Sequence, residues 1–507
     1  TTASNNTALG YAALLTNTTG TRNTAVGALA GDANTEGNYN SAFGYNSLGA
    51  NTTGTHNTAL GDFSQAANTT GIKNVSIGQG AFITSTTGSN NVVVGTEAMT
   101  ANTTASNNTA VGFQSLYANT TGTSNTAVGK SALAANITGS NHTALGKDAL
   151  LVSTAGGYDT ALGDSVLKAN TTGNYNTGVG ASALAANTTA SYNTAVGYAS
   201  LAANTTGTRM TSVGSHSGMQ NTTGNYNAFF GYDAGESNTT GASNTFVGDS
   251  AGRETTTASN NTAVGQSALL ANTTASDNTS VGAGSMDATT TGAFNSALGS
   301  EALGANTTGA SNVAVGVSAL AANTTASNNT AVGRDALIAN TTGGQNTGLG
   351  IYALQTTTTG AYNIGIGYNA TSSSATVTGQ CTLGEGSITN LRCNDQSISA
   401  LSDSRDKTDV IDSPYGLDFI NTVRPVQFKW ESRDGNGKDG STRIGFLAQE
   451  LLAATDGNNA VLDLVMDDNP DKLEAKYGNL LPVAIQAIQE LSTQLDAALA
   501  RITTLEG

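Results

Sequence analysis

Apolar residues, glycines and asparagines alternate in a 17-residue pattern that begins at the start of the chain. One unit reads Asn-Thr-Ala-Val-Gly-x-x-Ala-Leu-x-Ala-Asn-Thr-Thr-Gly-x-x, with variation, and residues 6–10 are its first core. The glycine of this core, here called the key glycine, recurs at every seventeenth position from Gly10 to Gly367, 22 times without insertion or deletion. A period this strict indicates a repeat architecture, in which each unit packs only on its neighbours.

Each unit carries two short apolar runs between turn residues. An apolar residue precedes every key glycine, and a leucine recurs four residues after it, as at Leu133 and Leu184. Runs such as Thr-Ala-Val and Ser-Ala-Leu are typical of strands of three to five residues. Two strands and two Gly/Asn turns make one coil of a parallel β-solenoid, so we predict a mainly β fold with one coil per repeat.

Glycine and asparagine have specific expected roles in such a coil. The key glycine is expected where φ is positive or the backbone passes close to a neighbour. An asparagine precedes the key glycine by four residues in 19 of 22 coils; the exceptions are His142, Asp159 and Met210. Asparagines at one turn of each coil can stack into an amide ladder. With coils about 4.8 Å apart, 22 coils predict a rod of roughly 105 Å.

The predicted coil has little interior, so we expect its leucine stripe to need a second surface. A homotrimer about the rod axis would supply that surface and cover the sheet edges. The phrase Asn-Thr-Ala-Val-Gly-x-x-Ala resembles the head repeat of trimeric autotransporter adhesins of the YadA type. That resemblance implies a left-handed parallel β-roll in a trimer, although the unit here is longer than the usual head repeat.

Composition excludes several functions. The net charge is −16 and 11% of residues are charged, so we expect no nucleic-acid partner. The sequence has no apolar stretch of about 20 residues, so we expect no membrane span. The three histidines fall at different coil positions, and we expect no metal site and no cofactor. The two cysteines, Cys381 and Cys393, could form one bridge or remain two buried thiols.

Two surface features of the repeat leave alternatives open. Asn-Thr-Thr occurs in most coils and gives many N-x-[ST] sequons, which are turn chemistry or glycosylation sites. Tyrosine recurs five residues before the key glycine and would either pack on the surface or stack on sugars. We interpret these tyrosines as spread over distant coils, at Tyr39, Tyr158, Tyr175, Tyr192, Tyr226 and Tyr362.

The composition changes near residue 400 and suggests three segments. All four prolines and the only tryptophan follow that point, and positions 401–507 hold 10 of the 19 basic side chains. We predict a solenoid shaft over 1–370, a narrow β-stalk over 371–401 and a different domain over 402–507. Short strands are expected in the stalk at 381–384 and 388–393, and residues 391–399 alternate as a half-buried strand would.

The motifs after residue 401 resemble the intramolecular chaperone auto-processing domain that ends phage tail spikes and tail fibres. The resemblance rests on four segments, which occur in the same order as in the family: 402–407 (Ser-Asp-Ser-Arg-Asp-Lys), 416–430, 444–451 and 477–482. The resemblance implies a helix and then a strand in the second segment, a helix in the third and a terminal helix after the fourth.

Residues from about 477 to 507 are predicted to form a coiled coil. Eight apolar residues follow the 3-4 spacing of an a/d heptad seam: Leu481, Ala484, Ile488, Leu491, Leu495, Ala498, Ile502 and Leu505. The alternative is an amphipathic helix on a globular core. The seam does not fix the number of strands; three is implied by the shaft and by the resemblance.

The candidate chemistry lies at Ser402 and Lys407. A lysine can act as a general base for a serine if burial or nearby cations lower the pKa of its amine. The resemblance implies that this pair cuts the chain between Ser402 and Asp403, and Asp403 and Arg405 would shape the turn between serine and lysine. The spacing alone also allows an alternative, in which Ser402 caps a helix and Lys407 is a surface charge. Glu431, Asp434 and Asp439 are expected to be solvated.

These features predict a homotrimeric viral tail fibre or spike that attaches to a host-surface receptor such as a glycan. Its C-terminal domain would trimerise and register the shaft and then cut itself off. The expected location is the virion tail, outside the host cell. A cellular surface adhesin or extracellular filament with the same chaperone is the alternative. The chain starts with Thr1 inside a repeat, so we expect a processed or truncated chain with an upstream anchor missing. A glycan-degrading enzyme lacks support, because the shaft shows no repeated carboxylate pair.

Overall fold

The computed structural model describes residues 2–385, 388, 402–431, 440–467, 469–471 and 473–507. These residues divide into two compact units, Thr1–Asn329 and Thr330–Gly507. The predicted stalk strand at 388–393 and the alternating segment at 391–399 lie outside the described residues, apart from Ile388. The first unit is a parallel β-solenoid, and the second begins with further coils of the same kind, so the predicted fold class is confirmed.

Each coil contributes one three-residue strand, and consecutive strands pair parallel, with each residue opposite its equivalent in the next coil, as Ala25 is opposite Ala42. The strands of the first unit are β1 (Thr7–Leu9), β2 (Thr24–Val26), β3 (Ser41–Phe43), β4 (Thr58–Leu60), β5 (Val75–Ile77), β6 (Val92–Val94), β7 (Thr109–Val111), β8 (Thr126–Val128), β9 (Thr143–Leu145), β10 (Thr160–Leu162), β11 (Thr177–Val179), β12 (Thr194–Val196), β13 (Thr211–Val213), β14 (Ala228–Phe230), β15 (Thr245–Val247), β16 (Thr262–Val264), β17 (Thr279–Val281), β18 (Ser296–Leu298) and β19 (Val313–Val315).

The prediction of two strands per coil is wrong. The Ser-Ala-Leu run forms turns, with two of its residues in the left-handed region, such as Ser131 (φ 57°) and Leu133 (φ 52°). Left-handed residues cannot continue a strand. The coil therefore closes by turns whose backbone N–H groups bond to the next coil, as Leu133 does to the Ala149 carbonyl at 2.9 Å.

The leucines four residues after the key glycine are buried inside their own coil, so the expectation that they need a second surface is also wrong. Leu133 and Leu184 are 0% exposed in the single chain. Leu48, at the same coil position, lies in one buried cluster with the central strand alanines Ala42 and Ala59. The apolar residues that face outward are those directly before the key glycine: Leu60 is 47% exposed and Leu298 is 52% exposed.

Two coils show how this small core keeps its volume. Phe229 and Phe246 replace the central strand alanine and stack with ring centroids 5.3 Å apart. The leucine position is glycine in the neighbouring turns, at Gly218, Gly235 and Gly252. A Cβ at any of these glycines would lie within 2.9 Å of a phenylalanine ring atom. Large and small residues thus exchange places while the coil interior stays filled.

The asparagine ladder is confirmed. Asn40 donates its backbone N–H to Asn23 Oδ1 at 2.9 Å, and Asn23 Nδ2 donates to the Gly37 carbonyl at 2.8 Å. The asparagines of Asn-Thr-Thr form a second ladder, in which Asn34 Nδ2 donates to Asn17 Oδ1 at 2.9 Å. Their side chains are buried in successive coils, which supports turn chemistry over glycosylation for these sequons in the folded shaft.

The second unit opens with four coils and ends with helices and short hairpins. Its strands are β20 (Thr330–Val332), β21 (Thr347–Leu349), β22 (Ile364–Ile366), β23 (Cys381–Leu383), β24 (Val426–Lys429), β25 (Thr442–Gly445), β26 (Val465–Met466) and β27 (Glu474–Ala475). Its helices are α1 (Leu417–Ile420), α2 (Ala448–Ala454), α3 (Asn459–Leu462) and α4 (Leu480–Glu506). The predicted stalk strand at 381–384 is β23, which pairs parallel with β22 as one more coil.

The part after residue 401 has its own apolar core. Leu451 of α2, Leu464, Val465 and the first turns of α4 form it, with Phe419 of α1 packed against them. β24 pairs antiparallel with β25, and β26 with β27. The helix-then-strand order of 416–430 and the terminal helix after Tyr477 are present as expected. The helix expected over 444–451 begins only at Ala448, because residues 444–445 end β25.

Candidate functional site

The chain turns sharply after Ser402 and brings Lys407 back to it. Residues Ser404–Asp406 form a single 3-10 turn, and Lys407 leaves it in an extended conformation. Lys407 Nζ lies 2.5 Å from Ser402 Oγ and donates a hydrogen bond to it. The two residues that the sequence singled out are therefore in contact, five positions apart.

Asp403 and Arg405 hold this turn. Asp403 caps it, because its Oδ1 accepts the backbone N–H of Arg405 at 2.9 Å. The Arg405 guanidinium bonds both carboxylate oxygens of Asp403 through Nε, each at 3.0 Å. Hydrogen bonds from the Arg405 side chain and backbone lower the pKa of Asp403. A negative charge on Asp403 therefore persists to low pH and keeps the bidentate pair closed.

The pair is exposed to solvent in the single chain. A lysine serves as a base for a hydroxyl only when its amine is neutral, which requires burial or a nearby cation. The Ser402–Lys407 contact lies on the surface, so this chain alone provides the geometry without the burial.

The residues after Lys407 are held together by contacts that involve the C-terminal helix and its neighbours. Glu490 of α4 accepts the backbone N–H of Leu417 at 2.8 Å and so caps the start of α1. Tyr477 lies just before α4, and its hydroxyl accepts a hydrogen bond from the backbone N–H of Phe446 at 3.3 Å. Arg424 pairs with Glu450 of α2. Sequence reasoning missed the Glu490 cap, because no local pattern links it to a partner 73 positions away.

Helix α4 has one buried and one exposed apolar face. Leu480, Val483 and Ala487 are buried in the core of the second unit. The predicted heptad seam lies on other residues and is exposed, with Ile488 63% and Leu495 59% exposed. The prediction of a long terminal helix is confirmed, and its seam is uncovered in the single chain.

Five consecutive coils of the first unit carry a stacked row of aromatic and cationic side chains. Tyr158 stacks on Tyr175 with ring centroids 5.1 Å apart, and Tyr175 stacks on Tyr192 at 5.2 Å. Arg209 continues the row and donates to the Tyr226 hydroxyl at 2.8 Å. The interpretation that the tyrosines are spread over distant coils is wrong for these residues. The signal that finds the row is their recurrence at the period of the repeat.

One buried ionisable pair interrupts the first asparagine ladder. His142 Nδ1 lies 3.6 Å from Asp159 Oδ2, and both side chains are fully buried. Burial lowers the pKa of His142 to about 4 and raises the pKa of Asp159 to about 7. The neighbours that bond Asp159 are the neutral amides of Asn170 and Asn176. Because both side chains are closed off from solvent, we assign the pair a structural role.

Other expectations concern residues away from these features. Among the described residues, no group of three or more His, Cys, Asp or Glu side chains could hold a metal ion, and no helix is long and apolar enough to cross a membrane. Cys381 is exposed, while Cys393 lies outside the described residues. Glu431 is exposed, and Asp434 and Asp439 lie outside the described residues.

Comparison with known proteins adds one match. Residues 402–462 match the family model described as chaperone of endosialidase (peptidase S74). No curated protein and no solved structure matches the chain. The match begins at Ser402 and, with a solenoid of 17-residue coils before it, fits a tail fibre or spike that carries a C-terminal chaperone.

Proposed function

We propose that the protein is the shaft of a homotrimeric viral tail fibre or spike that attaches to a host surface. Residues 402–507 trimerise the chains and set their register, and the chain is then cut between Ser402 and Asp403. The observation that carries this proposal is the Lys407–Ser402 contact at the first residue of the matched segment, in a chain whose preceding part is a repeat shaft.

Two uncovered apolar surfaces support a trimer. One is the α4 seam, whose heptad spacing is that of helices that associate. The other is the row of residues directly before each key glycine, which are apolar in every coil and face outward, as Leu60 and Leu298 show. A continuous apolar row along a shaft is a typical association surface. It replaces the buried leucines as the expected contact between subunits.

A C-terminal trimerising domain would set the register in which three shafts align during folding. The coils of the shaft are nearly identical, so registers displaced by a whole coil differ little in energy. A nucleus that aligns three chains at one end removes that degeneracy. Later removal of the nucleus leaves a shaft that unfolds slowly, because its aligned starting point is gone.

The proposed cut depends on assembly. The products are a Ser402 carboxylate and an Asp403 amine, with one water consumed. With its amine neutral, Lys407 takes the proton of the Ser402 hydroxyl while that hydroxyl takes one from the attacking water. The water oxygen bonds to the Ser402 carbonyl carbon, the C–N bond to Asp403 breaks, and Lys407 returns the proton to the leaving nitrogen. The single chain leaves Lys407 exposed, so neighbouring chains of the trimer provide the burial that a lysine base needs.

Mass measurement of the purified particle tests the proposal. Wild type should give three chains ending at Ser402, and Ser402→Ala or Lys407→Ala should give an uncut trimer of three 50.5 kDa chains. Ser404→Ala is the matched control, because Ser404 lies in the same turn and bonds Lys407 through its backbone carbonyl, which the substitution keeps, and it should still be cut. Cutting at 402/403 in Ser402→Ala and Lys407→Ala would exclude the mechanism, and a monomeric wild type would exclude the shaft assembly.

A further inference from the structure

The stacked row of Tyr158, Tyr175, Tyr192, Arg209 and Tyr226, here called the tyrosine–arginine ladder, has no role in the fold described above. The four tyrosines are between 50% and 57% exposed. Neighbouring tyrosine rings are nearly parallel, at 7° and 8°. The Arg209 guanidinium lies 6.0 Å from the Tyr192 ring centroid and 5.5 Å from that of Tyr226. The ladder is one continuous surface feature.

The backbone under the ladder disfavours these residues. Tyr175 has φ 57° and Tyr192 has φ 64°, in the left-handed region. Bulky residues there cost about 1–2 kcal/mol each, and asparagine is tolerated better. Asparagine occupies the same coil position elsewhere, as at Asn107. Each stacked pair returns about 0.5–1.5 kcal/mol, so stacking offsets the cost without a clear surplus.

The ladder is too short to be the contact between subunits. The row before the key glycines is apolar in every coil, as a chain-long interface requires. The ladder position is polar or charged in the coils on either side, at Asn141 and Ser243. Five coils at about 4.8 Å spacing give a surface of roughly 20 Å. Its length therefore fits an extended ligand of a few units.

The chemistry of the ladder selects the ligand. The inner ring faces cover one another, so an outside ligand meets ring edges and phenol hydroxyls rather than open faces. Arg209 adds guanidinium N–H donors, of which an arginine has five. The ladder residues and the two residues before each of them include no Asp or Glu, in a chain of net charge −16. Hydroxyl groups in a row beside one guanidinium suit sugars that carry a carboxylate.

We propose that the tyrosine–arginine ladder is the receptor-binding surface of the shaft and binds an extended carboxylated polysaccharide lying along the coils. The phenol hydroxyls bond the sugar hydroxyls, and Arg209 pairs with a sugar carboxylate. This inference rests on the proposed attachment function and names its surface and ligand class.

The test is binding of the purified particle, assembled from the full-length chain, to an array of carboxylated glycans and their carboxyl-reduced counterparts. Wild type should prefer the carboxylated forms. Tyr175→Ala should weaken binding about tenfold, the equivalent of one good contact, and Arg209→Gln should remove the preference for the carboxylated form. Tyr362→Ala is the matched control, because Tyr362 occupies the same coil position, is 59% exposed and lies outside the ladder. It should bind like wild type.

Each other outcome has a distinct meaning. Unchanged binding in Tyr175→Ala and Arg209→Gln would overturn the proposal. A wild type that forms a cut trimer but binds no glycan would also overturn it, while leaving the proposed shaft assembly intact. Dissociation of Tyr175→Ala into monomers would make the ladder a subunit contact and also overturn it. A wild type that is neither trimeric nor cut would instead refute the proposed function.

Discussion

At the scale of single residues, the fold depends on positions that admit one side chain for geometric reasons. Key glycines such as Gly197 have φ near 133°, and a Cβ there would lie 2.3 Å from the Gly214 carbonyl oxygen of the next coil. Both expectations for this position, positive φ and close approach, are confirmed. The sequence shows this position because the constraint recurs in every coil.

Replacing Gly197 by alanine should therefore destabilise the shaft strongly. The contact is with backbone that cannot move without shifting the next coil, so we expect a loss of roughly 2–3 kcal/mol per chain in unfolding free energy. Gly80→Ala is the control, since Gly80 is also left-handed (φ 63°) but nothing lies within 4 Å of its Cβ position. Thermal unfolding followed by circular dichroism compares them, and equal midpoints would contradict the packing argument.

The His142–Asp159 pair allows a prediction about pH. In His142→Asn, Asp159 stays buried with its pKa raised to about 7 from 3.8. The folded state then holds a proton that the unfolded state releases between these values, so stability falls as pH rises from about 4 to about 7 and stays low above. The midpoint of this variant should be higher at pH 5 than at pH 8, and that difference should vanish in His142→Asn/Asp159→Asn, which extends the asparagine ladder through these two coils. An unchanged difference would show that Asp159 is not its source.

At the scale of elements, the sequence predicted α4 well and its surroundings poorly. A seam of 3-4 spacing defines the helix and one of its faces. The other face, at Leu480, Val483 and Ala487, packs on residues distant in sequence, and no local pattern shows that. The Ser-Ala-Leu run failed for the opposite reason: its local pattern suits a strand, while the closure of a short coil imposes left-handed turns.

The Glu490 cap joins two of these elements and can be tested separately. Glu490→Ala removes the acceptor for the Leu417 N–H, so amides of Leu417–Ile420 should exchange hydrogen faster, while Glu490→Gln keeps an oxygen there and should exchange nearly like wild type. The bond from the Leu417 backbone is the main reason that the pKa of Glu490 is lowered. Its stabilisation is therefore present above the ordinary pKa of a glutamate and is lost as pH falls. Equal exchange in both variants would argue against a cap.

At the scale of the whole molecule, the sequence contains a shaft that repeats and a domain that does not. The period, the key glycine and the ladders follow from one unit, which is why they could be read from the chain. The surface available to other chains could not, because which apolar residue of a coil faces outward depends on how the coil closes. The structure moves that surface from the leucines to the residues before the key glycines, as at Leu298.

The α4 seam provides the last prediction, on assembly. Ile488→Asp/Leu495→Asp places charges on a face that is exposed in the single chain, so the fold of one C-terminal domain should survive while association fails. Without alignment at one end, the shafts should remain monomeric or aggregate, and Ser402–Asp403 should stay uncut because Lys407 remains exposed. Gln494→Asp, on the same helix but off the seam, should assemble and be cut like wild type. Light scattering and chain mass measure both effects, and a cut trimer of the double variant would show that the seam does not drive assembly.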